Sequence, residues 1–374
     1  MRIAAITNSR IPSTTANSIQ AVKVCDALVQ IGHEVRLMAP AEVPAVGWDR
    51  LSGHYGVRHP FEILWLPSRR ALKRFDFVWY ALSAARAFKP DLIYTWLPQS
   101  AVVGCWQGFP VVLEMHADVA GRLGPWWLRQ FWRGGRSRRL LVTTRALRRA
   151  LETSTGRGFP DAAVQVAPNG VDLDRYANLP TPHEARARLG LRDGFTAGFT
   201  GHFYAGRGIG LLFELARSMP GMNFLWVGGT ADAVAEWRAK LNAARCTNVE
   251  LTGFVDQTSV PLHQAAADIL LMPYSRSIAA SSGQDIGEVI NPMKMFEYMA
   301  AQRAIVTSDI PVIREVLDET QAVLCPPDDV SAWKRALEEL GRDEGRRETL
   351  ARRSRQEVEK YTWLARAERA VRNL

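Results

Sequence analysis

A chain of 374 residues exceeds what one hydrophobic core usually serves and implies two domains of about 150–200 residues each. Its 47% hydrophobic and 23% charged residues exclude a disordered or fibrous chain, and no apolar run approaches the roughly eighteen residues that span a bilayer. The formal net charge is +9, and the stretch from Arg122 to Arg157, with ten arginines against the single acid Glu152, accounts for all of it. Basic residues held in one patch, not spread along a groove or repeated by module, argue against a protein that coats nucleic acid. Cys25, Cys105, Cys246 and Cys325 are scattered without CxxC spacing, so neither a zinc site nor a disulfide framework is expected. The short apolar start, MRIAAITNSR, lacks the length and cleavage site of a signal peptide, and a cytoplasmic location is expected.

Taken in order, Arg2 to Thr7 reads as a buried parallel strand, followed by the polar loop Asn8 to Ser18. Asn17 or Ser18 can cap a helix that runs to Gly32, and Val35 to Met38 is the next strand. Strand, loop, capped helix, glycine stop and strand make one right-handed βαβ unit, which puts the Asn8–Ser18 loop at the carboxyl edge of a sheet, where ligands bind. Glu62 to Leu66, Asp91 to Thr95 and Pro110 to Met115 continue the sheet, with a basic turn and helix from Arg69 to Ala87 between the first two. Glu114, His116 and Asp118 alternate, so in an extended strand they point the same way. Such a trio suits zinc or iron, or His116 is a hydrogen-bonding or a structural histidine.

From Gly124 to Leu141, Trp126, Trp127, Phe131 and Trp132 are interleaved with Arg129, Arg133, Arg136, Arg138 and Arg139. This pattern fits a helix that buries its tryptophans and exposes its arginines, a platform for single-stranded bases, or a surface for anionic lipid headgroups. Strands follow at Leu140 to Thr144 and Val164 to Ala167. Pro168-Asn169-Gly170-Val171-Asp172 is a turn, and Leu179-Pro180-Thr181-Pro182 reads as a linker. Beyond it, Thr196 to Gly201 is a strand, and a glycine-rich turn carrying Arg207 leads into a helix, a geometry that cradles phosphate. Asn223 to Val227 ends at Gly228-Gly229, Val249 to Leu251 ends at Gly253-Phe254-Val255, and Asp268 to Tyr274 is another strand.

The stretch GEVINPMKMFEYMAAQRAIVTSDIPVIREVL, Gly287 to Leu317, carries the most chemistry. It reads as a loop ending at Asn291-Pro292, a short helix, a strand from Ala304 to Thr307, and a turn into a further helix. On a helical projection Met293, Met295, Phe296, Met299 and Ala300 share one side, and Lys294, Glu297 and Ala301 the other. The N–H groups around Asn291, Pro292 and Met293, at the positive end of the helix dipole, suit an anion. A carboxylate one turn inside suits neutral vicinal hydroxyls, so phosphate at the helix start and ribose at Glu297 is a nucleotide-diphosphate arrangement. The alternative is a solvated Lys294–Glu297 pair worth a few tenths of a kcal/mol.

This segment, as Pro292, Lys294, Phe296-Glu297-Tyr298-Met299-Ala300, Gln302, Ala304, Ile305-Val306, resembles the C-terminal signature of the family 4 (group 1) glycosyltransferases. Gln302 and Ala304 replace the family's glycine and proline. Its other glutamate, eight residues upstream of Glu297, falls on Val289, beside Glu288. Pro168 to Asp172 resembles the family's turn out of its first domain, and Tyr361-Thr362-Trp363 its terminal helix.

The resemblance implies an α/β chain of GT-B architecture, two Rossmann-like parallel-sheet domains facing across a deep cleft, with the C-terminal helix crossing back to the first domain. The expected boundaries are residues 1–178 for an acceptor-binding domain, 179–356 for a nucleotide-sugar-binding domain, and 357–374 for the helix packing back. It implies transfer of a sugar from a nucleotide-diphosphate sugar to an acceptor hydroxyl with retention, as in enzymes that build cell-envelope or capsular polysaccharides. Implied roles are His116, Arg207 and Glu297 in catalysis; Glu297 also holds ribose, Arg207, Lys294 and the Asn291–Met293 backbone hold the diphosphate, and the turns at Gly228 and at Phe254-Val255 embrace the nucleotide. No metal or other cofactor is called for. The expected partners are the donor, a sugar, polysaccharide or lipid-linked acceptor, and an anionic membrane surface met by the Trp126–Arg139 patch from the cytoplasmic side. The rival readings are a nucleotide-sugar epimerase of the same fold and a basic nucleic-acid-binding protein.

Overall fold

The computed structural model describes every residue except 73, 120, 122, 134–136 and 280–284, together with all side chains but that of Arg70 among the rest. Arg122 and Arg136 of the basic stretch therefore lie outside the described residues. The chain forms two compact units, Met1–Gly170 with Trp363–Leu374, and Val171–Thr362.

The first unit is built on seven strands: β1 (Arg2–Ile6), β2 (Glu34–Pro40), β3 (Glu62–Leu66), β4 (Leu92–Thr95), β5 (Val111–Met115), β6 (Arg138–Val142) and β7 (Val164–Val166). All pair in parallel, in the order β3-β2-β1-β4-β5-β6-β7. Parallel strands covered on both faces need continuous apolar runs, and Ile3 to Ile6, Leu92 to Tyr94 and Val111 to Leu113 are buried throughout. The helix Ala16–Gln30 is buried from Ser18 to Leu28 because the last helix, Trp363–Val371, packs against it. Thr15, not Asn17 or Ser18, stands at its N-cap; the Ser18 hydroxyl donates instead to the Ser13 carbonyl at 2.7 Å and so pins the preceding loop.

The second unit carries six parallel strands, β8 (Thr196–Thr200), β9 (Asn223–Val227), β10 (Val249–Gly253), β11 (Ile269–Met272), β12 (Ala304–Ser308) and β13 (Val323–Cys325), in the order β10-β9-β8-β11-β12-β13. Trp226, Phe199, Phe224, Leu271 and Trp333 fill its interior. The segment after β12 forms successive turns in place of the expected helix, starting with Ile313 N–H to Ile310 carbonyl at 3.0 Å. Pro311 and the β-branched run Ile310, Val312, Ile313 disfavour longer helical propagation there.

In each sheet the strand order reverses once, between β1 and β4 and between β8 and β11. Connections leave in opposite directions from such a point and open a crevice at the carboxyl ends of the strands. Those two edges are where the candidate residues gather.

Candidate active site

In the second unit the turn after β8 needs glycine. Gly208 has φ 75°, and a Cβ there would sit 1.9 Å from the Pro273 carbonyl oxygen. This close approach brings the turn that carries Arg207 against the end of β11. Arg207 Nη1 donates to the Tyr274 hydroxyl at 3.1 Å, and its guanidinium lies 5.2 Å from the centre of that ring. The side chains of the two loops at the switch point thus hold one another, leaving the rest of the guanidinium fork available to a ligand.

The helix Met293–Ala300 buries Met295, Phe296, Met299 and Ala300 as the projection requires, with Pro292 one residue ahead at the N-cap; Met293 at its start is only half-buried, and Ala301, assigned to the other side, is buried. Tyr298 is buried as well, its hydroxyl accepting from Thr200 N–H at 2.8 Å. The other face is not a solvated ion pair. Lys294 Nζ is out of solvent with no hydrogen-bond partner among the described residues, 3.8 Å from the centre of the Phe199 ring and 5.7 Å from that of Tyr274. A Cβ on Gly201 would lie 2.8 Å from this nitrogen. Burial, then repulsion from Arg207, hold the amine well below its ordinary range, and Glu297 offsets only part of this. An amine buried on aromatic faces, with no oxygen partner among the described residues, is poised for an anion that favours its protonated form.

Glu297 Oε2 accepts from Gln264 Nε2 at 3.2 Å. Gln264 is fully buried; its Oε1 accepts from the Tyr176 hydroxyl at 3.0 Å, and Nε2 also reaches Thr200 Oγ1 at 3.3 Å. This relay orients the carboxylate, and nothing in the sequence signals it, since Gln264 and Tyr176 carry no motif.

The remaining turns converge on the same edge. Gly201 N–H donates to the Val227 carbonyl at 2.8 Å and Gly228 N–H to the Gly253 carbonyl at 2.8 Å, so the turns after β8, β9 and β10 are stitched side by side. Phe254 is exposed and Val255 half-buried beside them. Asn291 and Pro292 are buried. Val289, where the family's second glutamate would stand, is buried, and Glu288 is exposed.

In the first unit the predicted trio separates. His116 Nε2 lies 2.5 Å from Glu114 Oε1, whereas Asp118 accepts from Ser154 Oγ at 2.5 Å and from Val119 N–H at 2.7 Å. Glu114 is fully buried and accepts from Gln20 Nε2 at 2.5 Å, from Arg366 Nη2 at 2.5 Å and from the Tyr94 hydroxyl. Burial alone would raise its pKa; Arg366, with the hydrogen bonds from His116 and Tyr94, outweighs that and holds it at about 2. At the carboxyl edge, residues that include Asn8, Arg74, Phe75, Trp96, Met115 and Trp127 line a groove of about 610 Å³.

The aromatic-basic stretch divides between structure and surface. Trp132 packs between Phe131 and Phe159, with ring centres at 5.2 and 5.1 Å. Arg129 Nε donates to the Thr155 carbonyl at 2.9 Å, and Arg138 Nη1 to the Phe131 carbonyl at 2.5 Å. Arg139 donates to the carbonyls of Arg369, Ala370 and Arg372 at 2.8–3.0 Å, where a cation complements the end of the last helix. Trp126 is 40% exposed and shares a surface cluster with Trp106, 58% exposed and outside the predicted stretch; Trp79, 66% exposed, lies one turn beyond Phe75 on its own helix. Trp127 connects the cluster, its ring centre 4.7 Å from Trp126, 6.3 Å from Phe75 and 6.5 Å from Trp106.

Residues 18–175 match the family model for Glycosyltransferase Family 4, and residues 194–343 the model for Glycosyl transferases group 1. A Bacillus subtilis protein named as a teichuronic acid biosynthesis glycosyltransferase, TuaH, is 31% identical over 149 residues, 40% of this chain and 35% of that one. A phosphatidyl-myo-inositol mannosyltransferase from Mycolicibacterium smegmatis is 28% identical over 212 residues, 54% of this chain and 48% of the relative. The chain thus matches about a third to a half of the length of these two relatives. The crystal structure of Anabaena HepE in complex with UDP-glucose superposes with a TM-score of 0.73 at 15% identity, over 99% of this chain and 98% of that one. The sheet orders, the signature on Met293–Ala300 and both family matches agree: the two domains of this chain are those of the group 1 glycosyltransferases, on the GT-B fold.

Proposed function

We propose that the protein is a retaining glycosyltransferase that moves a sugar from a nucleotide-diphosphate sugar to an acceptor hydroxyl. The observation that carries this reading is the Lys294 amine, buried on two aromatic faces without an oxygen partner among the described residues, beside Arg207 and the start of the Met293–Ala300 helix. As the bond from the sugar to the diphosphate breaks, negative charge grows on the leaving group, and fixed positive donors aimed there lower the barrier. Arg207, Lys294 and the amides around Asn291 to Met293 supply that stabilisation in this reading, which therefore calls for no metal. Glu297, oriented by Gln264, holds the ribose hydroxyls, and the turns at Gly228 and Phe254-Val255 meet the rest of the nucleotide. His116 is the residue assigned to the transferred sugar in this reading. A fold relative captured with UDP-glucose supports this donor class.

An anion brought beside Lys294 supplies the missing counter-charge, so donor binding should be accompanied by proton uptake. Calorimetry of UDP binding at mildly alkaline pH, in buffers of different ionisation enthalpy, is expected to show that uptake, and Lys294→Met is expected to abolish it. Equal heats in every buffer for the unaltered protein would mean that the amine is already charged.

The proposed acceptor is a lipid-linked sugar or growing polysaccharide presented at the cytoplasmic face of a membrane. No helix among the described residues is long and apolar enough to cross a bilayer, but Trp79, Trp106 and Trp126 are exposed and are proposed as an apron suited to the interface. Replacing these three by alanine should weaken sedimentation with anionic phospholipid vesicles about tenfold or more while leaving the melting temperature unchanged. Unaltered sedimentation would take the apron out of membrane contact.

A further inference from the structure

Arg366 lies on the last helix, and its side chain is 2% exposed. It donates to Glu114 Oε1 at 2.5 Å, the Tyr94 hydroxyl at 3.3 Å, the Pro168 carbonyl at 3.0 Å and the Ala167 carbonyl at 3.4 Å. A guanidinium with four acceptors in a dry site has one position. The oxygen it binds on Glu114 is the one that faces His116 Nε2, also at 2.5 Å.

An ionised carboxylate only accepts, so this contact requires the ring proton on Nε2 and leaves Nδ1 as the lone-pair nitrogen of neutral His116. A protonated Glu114 reverses the arrangement, donating to Nε2 and sending the ring proton to Nδ1. Burial favours the protonated acid, and the guanidinium opposes it. The state of a helix near the chain end thereby decides which nitrogen of His116 can accept a hydroxyl hydrogen.

We propose that Arg366 is a positioning residue for sugar transfer, acting through Glu114 to fix the tautomer and orientation of His116. This rests on the reading of His116 as a residue of the transfer site. Nothing in the family signature points to Arg366; its buried contacts alone give it this role.

The test uses the full chain in three forms: unaltered, Arg366→Lys, and the double substitution Arg366→Met with Glu114→Gln. The double substitution removes both buried charges together, so the unit is not left with an uncompensated ion. Nitrogen-15 NMR of the His116 ring reads the tautomer with no substrate present. Release of nucleotide from UDP-glucose or GDP-mannose, whichever is turned over, reads kcat and KM.

The unaltered protein is expected to show the Nε2–H ring, and Arg366→Lys to retain it with partial kcat. The double variant is expected to show a mixed or Nδ1–H ring and a kcat about 10²-fold lower, with KM for the donor little changed. A double variant that keeps both the Nε2–H ring and full kcat overturns the proposal. So does a changed ring with full kcat; in that case His116→Ala separates the causes. Full turnover in His116→Ala places the failure in the reading of His116, and reduced turnover places it in Arg366.

Discussion

Arg207→Ala and Glu297→Ala are each expected to lower sugar transfer by about two powers of ten or more. Removing one preorganised donor from a developing oxyanion commonly costs about 3–4 kcal/mol, and Arg207 is such a donor in the proposed reaction. Its visible side-chain contact is with Tyr274, so alanine leaves the sheet and its core intact and the loss falls on chemistry. For Arg207→Ala the fall should appear in kcat, because diphosphate charge is greatest in the transition state. For Glu297→Ala both kcat and KM for the donor should change, since the ribose contact is present before and during the step. A purified variant of either kind with unaltered turnover removes that residue from the site.

The largest expected effect on stability is at Glu114. Truncation to alanine leaves the Arg366 guanidinium buried without its counter-ion, a change that costs about 3–5 kcal/mol in comparable settings, and it also strips acceptors from Tyr94 and Gln20. The melting transition of the first unit should fall accordingly, while the Arg366→Met, Glu114→Gln pair should recover most of the loss. The same ion pair gives acid sensitivity a definite sign. Glu114 is held at about 2 against an ordinary 4.5, so its contribution is complete above pH 4.5 and drains away as the pH falls toward 2. The double variant should lose that part of the acid slope. An unchanged melting temperature for Glu114→Ala would show that the pair contributes nothing net.

Much of the fold was legible because it is written locally. Continuous apolar runs such as Ile269–Met272, Gly-rich turns and the signature on Met293–Ala300 each report their own short segment. The position of Arg207 beside a glycine that must approach Pro273 is of the same kind. Side-chain partnerships across the unit are different. Glu114 and Arg366 are 252 residues apart, and no period or spacing links them; only the docking of the last helix onto Ala16–Gln30 brings them together. Gln264 met Glu297 and Tyr176 in the same silent way.

The aromatic-basic stretch shows a third case. Composition identified a patch, but the surface it belongs to is set by which faces of three helices are left uncovered. Trp132 turned inward, Arg138 and Arg139 took backbone carbonyls, and Trp106 joined Trp126 through Trp127 from elsewhere in the chain. The alternative of a solvated Lys294–Glu297 pair fails for a related reason. The projection assigns an angle around the helix axis, and it does not show that Phe199 and Tyr274 wait on that side.

The most direct measurement is a crystal structure with UDP or GDP bound. The pyrophosphate is expected within hydrogen-bond reach of Arg207, Lys294 and the first amides of the Met293–Ala300 helix, with the ribose hydroxyls on Glu297. Nucleotide found away from this edge of the second sheet, or Glu297 directed away from the ribose, would contradict this placement.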